Sequence, residues 1–352
     1  MDVESEVFHM RGGQYNGIKN VELSEFDKPI LKQDSILIKN MRAGICGTDL
    51  HAYTLEGESV GILPGNQFGH EMCGIIDSIG SGVDGFEVGQ RVFVNPVTFR
   101  SIPEGYTPTM SADMAGAFSE YVLVENPQWN VNLFKIPDHV SLDFAVLVEP
   151  LSVSMNGVML AQPQKGQKAI IYGAGTIGLG CLVALKHLGI EDVIVADSVP
   201  LRLETVKKLG GIPCDITKTK TNQFVLDLWG NLTAGMGMDM NDADLVFDCA
   251  GYTGSIRDYL DNAKMGSQLI CIALGNGQVP ISTSELAFKS VSIKGSCGYT
   301  SQANQEVIRM LDSGIDLSPI ITATYPLSKI SEAFEDATNV NKNIKVIIDH
   351  TK

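Results

Sequence analysis

Residues 168–180 read KAIIYGAGTIGLG, and no other stretch restricts the fold of this chain as strongly. A short apolar run ends in Gly173, Gly175 and Gly178, spaced G-x-G-x-x-G, and a helix-like pattern follows at once. That order asks for a strand turning sharply into a helix. Gly173 permits the turn, Gly175 lets backbone approach a pyrophosphate, and Gly178 lets helix and sheet pack closely. The helix N-terminus behind them offers free N–H groups and partial positive charge to phosphates. In a chain with 36 glycines the spacing alone is weak, so its context decides. A second strand, DVIVAD, ends in Asp197, about twenty residues past the motif, where a carboxylate would accept both ribose hydroxyls. The same charge would repel a 2′-phosphate, so NAD is expected rather than NADP.

The rhythm around this motif sets the organisation. From about Lys168, apolar runs (KAIIY, VIVADS, DLVFDCA, SQLICIAL) alternate with helical patterns, as in a parallel, doubly wound sheet. The first 150 or so residues instead hold short β-rich runs punctuated by Gly and Pro. These are SILIKNM, MCGIIDSIG, QRVFVNP and FSEYVLV. SILIKNM carries Ile36 and Ile38 two apart, which predicts a half-buried strand. The stretch between Val94 and Ala117 lacks pattern and reads as a long surface excursion. After Gly295 come a short helix (Gln302 to Leu311), ITATYPL, KISEAFEDA and a last strand, NIKVIID.

Composition excludes several classes. The 352 residues suffice for two cores. A net charge of −15, without a basic cluster, disfavours nucleic acid and anionic membrane as partners. No run approaches the ~18 apolar residues of a membrane span. The acidic start MDVESEVFHM has no n-region or h-region of a leader. Seven scattered cysteines do not form a disulfide framework, so a cytoplasmic protein is expected.

Two segments carry a second chemistry. GNQFGHEMCG places His70 and Glu71 side by side among glycines, and AGICGTDLH, some 24 residues earlier, supplies Cys46, Thr48, Asp49 and His51. A thiolate and an imidazole from separate loops are what a catalytic zinc site takes from its protein, with room for a carboxylate and a water or substrate. Zinc as a Lewis acid would lower the pKa of an alcohol oxygen.

Together these segments resemble the zinc-dependent medium-chain dehydrogenases, especially the sorbitol and polyol branch. Gly69-His70-Glu71-x-x-Gly74 with Gly80 and Val83 fits the family's zinc signature. C-G-T-D-x-H at Cys46 to His51, V-E-P-L-S-V at Val148 to Val153 and the glycine fingerprint follow in the family's order. The resemblance implies an α/β fold: a GroES-like β-rich catalytic domain interrupted by a Rossmann NAD-binding domain. On that reading residues 1–155 and 296–352 form the first and 156–295 the second, and NIKVIID returns to the first sheet. It assigns Cys46 and His70 as zinc ligands, Glu71 as a third or exchangeable one, and Glu149 as the acidic residue facing the metal directly or through water. Pro150 is expected to push Glu149 out of helical geometry. Thr48 would take the substrate's hydroxyl proton and His51 would pass it to the surface, with Asp49 orienting the ligand imidazole. The cofactor would meet Gly173, Gly175, Thr176, Ile177, Gly178, Asp197, Arg202, Ala273 and Leu274. The other cysteines are expected to be small core residues.

The sequence also departs from that family. Many members hold a structural zinc with four clustered cysteines after the strand equivalent to QRVFV. Asn95 to Gly116 contains none, so one zinc per chain is expected. Sorbitol dehydrogenases commonly place a tyrosine after the relay histidine and an arginine after the strand ending IKG. Here these positions hold Ala52 and Gly298. The expected activity is hydride transfer between NAD and a secondary alcohol or polyol, with a small-molecule partner. A homodimer or homotetramer paired through the ALGNGQVPISTSELAFKSVSIKG region is expected. The alternatives are a zinc-free quinone or enoyl reductase and a non-catalytic nucleotide-binding protein on the same fold.

Overall fold

The computed structural model describes residues 8–96, 116–233 and 239–352. Most of the patternless stretch after Val94 lies outside the described residues. The chain forms two compact units, Met1–Glu149 with Leu311–Lys352, and Pro150–Met310.

In the first unit a seven-stranded sheet is organised around Ser35–Gly44. This strand pairs antiparallel with Glu71–Ile79, with Tyr121–Glu125 and, near its end, with Lys345–Asp349. NIKVIID therefore does return to the first sheet. Ile36, Leu37 and Ile38 are all buried, so the strand is covered on both faces rather than half-buried. Two-residue periodicity disappears at the centre of a sheet because both faces need apolar residues. A cluster of Tyr15, Tyr53, Phe68, Phe118 and Phe334 fills the unit's core, with Phe68 and Phe118 edge to face at 4.9 Å between ring centroids.

The second unit is a six-stranded parallel sheet in the order Ile212–Asp215, Asp192–Asp197, Lys168–Tyr172, Leu245–Asp248, Gln268–Cys271, Ser292–Gly295. Numbered along the chain, the strands run 3-2-1-4-5-6, the doubly wound arrangement that the alternating rhythm predicts. The order reverses between Lys168–Tyr172 and Leu245–Asp248. At such a switch point the carboxyl ends of the strands open a crevice that receives ligands. The glycine fingerprint begins at that crevice.

Two further local expectations need correction. Glu149 and Pro150 both lie within the helix Val148–Leu160. Proline is tolerated in a first helical turn, where its missing N–H has no intrahelical partner to lose. The break in helical structure comes just earlier, after the short helix Leu142–Ala145. Among the remaining cysteines, Cys73, Cys181 and Cys214 are buried, whereas Cys249 and Cys271 are half-buried and Cys297 is exposed. No helix among the described residues is long and apolar enough to cross a membrane.

Candidate functional site

Cys46 stands where the central strand Ser35–Gly44 gives way to the helix Gly47–Thr54. It is the residue immediately before that helix, and its N–H donates to Asp49 Oδ2 at 2.9 Å. This side-chain cap satisfies one of the donors a helix start leaves open. It also fixes the direction in which the thiol leaves the backbone. His70 and Glu71 arrive on the adjacent strand, whose first residue, Glu71, lies opposite Gly44 in the antiparallel register. Gly69 delivers them through a backbone with φ of +91°, and a side chain there would meet the Phe118 ring at 2.6 Å. The glycines around His70 are therefore structural requirements of the approach.

The result is a cluster in which one donor atom each from Cys46, His70 and Glu71 lie within 4.8 Å of one another. His70 is 7% and Glu71 1% exposed. His70 Nδ1 faces Asp49 Oδ1 at 3.8 Å, a charge contact too long for a hydrogen bond. Burial pushes the Asp49 carboxyl up to about 6, against the pull of His70. Burial also opposes charge on His70, but Cys46 and Asp49 outweigh it and raise its pKa well above the usual value. Buried Asp49 Oδ1 has no hydrogen-bond partner. Thiolate, imidazole and carboxylate gathered this closely are the donor set of a zinc site. The residues present fit the metal.

Around these donors the remaining expected residues fall into place unequally. Glu149 is buried, and its charge acts on both His70 and Lys345, though it stands outside the three-donor cluster. Thr48 and His51 occupy one face of the helix, three residues apart. Thr48 Oγ1 is 3.8 Å from Cys46 Sγ, and His51 Nε2 shares a 3.3 Å contact with Ser59 Oγ. Tyr53 belongs to the core, its ring 5.5 Å from that of Phe334.

Two residues escaped the sequence reading. Lys345, the first residue of the last strand, is 3% exposed and donates to both Glu71 oxygens. Its only sequence signal is a lone cation leading an apolar run. Ser59 carries no signal beyond its proximity to His51 in the chain.

The dinucleotide loop of the second unit is built from backbone. Gly173 has φ of +95°, and its N–H donates to Ala196 O at 2.8 Å. A Cβ on Gly178 would stand 1.8 Å from Gly173 O, so helix and turn touch there without a side chain between them. No atom lies within 4 Å of the corresponding position at Gly175, the glycine directly before the helix Thr176–His187. Asp197 is 7% exposed, and three amides already donate to it. Ala174 N reaches Oδ2 at 2.7 Å, and Ser198 N and Val199 N reach Oδ1 at 2.8 Å. With four lone-pair sites in all, Oδ2 keeps one acceptor position, and Arg202 Nη1 stands 3.7 Å from it. Ala273 donates its N–H to Asp248 O, and Leu274 beyond it is 98% exposed.

Comparison with known proteins gives the family. Residues 32–138 match the alcohol dehydrogenase GroES-like domain family and residues 176–313 the zinc-binding dehydrogenase family. L-threonine 3-dehydrogenase of Alteromonas mediterranea is 30% identical over 94% of this chain and 96% of its own length. Sorbitol dehydrogenase of Bacillus subtilis is 30% identical over 97% of each. The crystal structure of 2R,3R-butanediol dehydrogenase from Bacillus subtilis, 24% identical, shares the fold with a TM-score of 0.82 over 97% of this chain and 99% of its own. A thiol–imidazole–carboxylate cluster, a glycine fingerprint at the switch point and full-length relatives converge: the chain belongs to the zinc-dependent medium-chain dehydrogenases and is an NAD(P)-dependent enzyme of that family.

Proposed function

We propose that this enzyme interconverts a secondary alcohol and its ketone, with one zinc per chain held by Cys46, His70 and a carboxylate from Glu71 or Glu149. The observation that carries this reading is the cluster of three donors within 4.8 Å, with Asp49 behind His70. Zinc bound there acts as a Lewis acid toward the substrate oxygen, worth several kcal/mol of charge stabilisation. Thr48 accepts the alcohol's proton. His51, half-exposed and on the same helix face, carries it toward water, its ring steadied by Ser59.

NAD binds over Gly173–Gly178, with Thr176 and Ile177 presenting the first N–H groups of their helix to the pyrophosphate. Asp197 accepts one ribose hydroxyl through its remaining lone pair, and its charge disfavours a 2′-phosphate. Arg202 holds that carboxylate from the helix side. Ala273 and Leu274 meet the cofactor from the loop after Gln268–Cys271.

The substrate class follows from the relatives and from the pocket's departures. L-threonine and sorbitol both offer a secondary hydroxyl next to a carbon bearing a polar group. With Ala52 and Gly298 where polyol enzymes place tyrosine and arginine, and Tyr53 committed to the core, a long polyol loses two hydroxyl partners. A compact secondary alcohol with one polar neighbour, such as a vicinal diol or a β-hydroxy amino acid, fits better. Pairing into a homodimer or homotetramer through the Ser292–Gly295 edge of the parallel sheet is the matching assembly, because that strand is bonded on one side only.

The test is a substrate panel with NAD followed by identification of the product. Ketone formation from a small diol or hydroxy amino acid, faster than from sorbitol, is expected. Activity confined to quinone or enoyl substrates in protein without zinc would overturn the proposal.

A further inference from the structure

From Pro150 onward the helix Val148–Leu160 belongs to the second unit, where it is tied to the fifth and sixth strands of the parallel sheet. At the amino end of strand five, Gln268 Nε2 donates to Ala161 O at 2.6 Å, just past the helix. The tie at the carboxyl ends is different. A Cβ on Gly157 would stand 2.4 Å from Ile272 Cδ1, so helix backbone presses on the residue that follows strand five. Beside it Asn156 Nδ2 donates to Ser296 Oγ at 3.1 Å, and Ser296 is the residue that follows strand six. Backbone bonds draw the same loops inward: Ile272 and Ala273 donate to Asp248 O, and Ser296 to Cys271 O. Among the described residues, Asn156 makes the only side-chain hydrogen bond to Ser296, and Cys297 beyond it is exposed.

These strand ends face a particular part of the cofactor. A doubly wound sheet of this order consists of two mononucleotide-binding halves of three strands each. Asp197, at the end of strand two, marks the half that takes the adenosine ribose. Strands four to six therefore face the other nucleotide, which carries nicotinamide, and Ser296 stands at the end of the outermost of them.

We propose that Asn156 is a positioning residue for the nicotinamide half of the cofactor, its hydrogen bond fixing where the loop that begins at Ser296 leaves strand six. Bracing of the helix alone does not call for it. Met155 and Val158 on either side are fully buried, and Gln268 holds the other end of the same strands. A buried side-chain amide must be desolvated, and asparagine is a poor residue for a helix interior, so an apolar side chain would brace better. Asn156 is 9% exposed and spends its amide on the one loop of this interface that opens toward the crevice.

This inference rests on the dinucleotide reading above, and the experiment separates the two. Wild-type protein, Asn156→Ala, Ser296→Ala, the double variant and Gln268→Ala are titrated calorimetrically with NADH and with ADP-ribose, which lacks nicotinamide. Thermal unfolding of the same preparations reports folding. Asn156→Ala and Ser296→Ala should each bind NADH about tenfold more weakly, the weight of one buried hydrogen bond, with ADP-ribose affinity unchanged. The double variant should lose no more than either alone, because the two residues share one bond. Gln268→Ala should lower the melting temperature and leave the ratio of the two affinities as in the wild type. If Asn156→Ala does not fold, Ser296→Ala carries the same comparison.

Equal losses for both ligands, or unchanged NADH affinity, in the folded variants would overturn the proposal. So would additive losses in the double variant, or a loss confined to NADH in Gln268→Ala, which would show that any loosening of the helix suffices. Wild-type protein that binds neither ligand would instead fail the dinucleotide reading on which the inference depends.

Discussion

The metal pocket and the dinucleotide loop are built from opposite materials. In the Pro150–Met310 unit the loop is almost wholly backbone. Gly173 turns, Gly178 leaves contact distance, and even the charged residue, Asp197, is held by three amides. In the first unit the pocket is side chain. Cys46, Asp49, His70, Glu71 and Lys345 converge from one helix start and two strands, and their charges balance one another in a buried volume. A backbone site is destroyed by adding atoms, whereas a side-chain site is destroyed by removing a donor. Substitutions should therefore sort by unit, with little effect carried from one to the other.

The largest effect should come from removing a donor. Cys46→Ala should lower kcat by more than about a thousandfold, the rate equivalent of about 4 kcal/mol, while NAD affinity stays within a few-fold. Cofactor titration by fluorescence beside steady-state kinetics checks the division. A loss of NAD affinity comparable to the loss of rate would break it.

Adding a single methyl group should do the reverse. In Gly178→Ala the new carbon meets a backbone carbonyl that cannot move aside cheaply. A destabilisation of about 1–3 kcal/mol and weakened NAD binding are expected, with zinc content unchanged. Chemical denaturation and metal analysis of one preparation decide the matter.

Buried titratable side chains also make the first unit sensitive to acid. Burial pushes the His350 imidazole down to about 4, below its ordinary value of 6.5. Between those values the unfolded chain binds the extra proton. The contribution of His350 is therefore intact above 6.5 and is lost as pH falls toward 4. From pH 7 to pH 5 that loss is about 2 kcal/mol, and His350→Gln should be correspondingly less acid-sensitive in thermal unfolding. An equal pH slope in both proteins would mean that other groups govern the acid limb.

The smallest shift is expected at Asp197. Because backbone amides already occupy most of its acceptor sites, Asp197→Ala should narrow the preference for NAD over NADP by about tenfold, or ~1.4 kcal/mol. The ratio of kcat/KM for the two cofactors measures it, and an unchanged ratio would assign ribose recognition elsewhere.

The same contrast explains what could be read from the sequence. Backbone sites leave local signatures, since glycines at fixed spacing after an apolar run are one contiguous string. The dinucleotide loop and the parallel sheet were accordingly legible from KAIIYGAGTIGLG and the strands that follow. Cys46, His70 and Glu71 were legible because each sits in a short recognisable segment. Lys345 was not, because it lies 274 residues from Glu71 and only strand pairing brings them together. The place of Glu149 inside a helix was misread for a related reason. Proline restricts the residue before it in general, but a first helical turn relaxes that restriction. Periodicity misjudged Ser35–Gly44 because alternation marks one covered face and this strand has two.

Zinc content of purified wild-type and Cys46→Ala protein, measured side by side after saturation and removal of loosely bound metal, tests the central claim most directly. The account predicts about one zinc per chain in the wild type and essentially none in the variant, with NAD binding preserved in both. Equal zinc in the two proteins, or none in the wild type after metal has been added back, would contradict it.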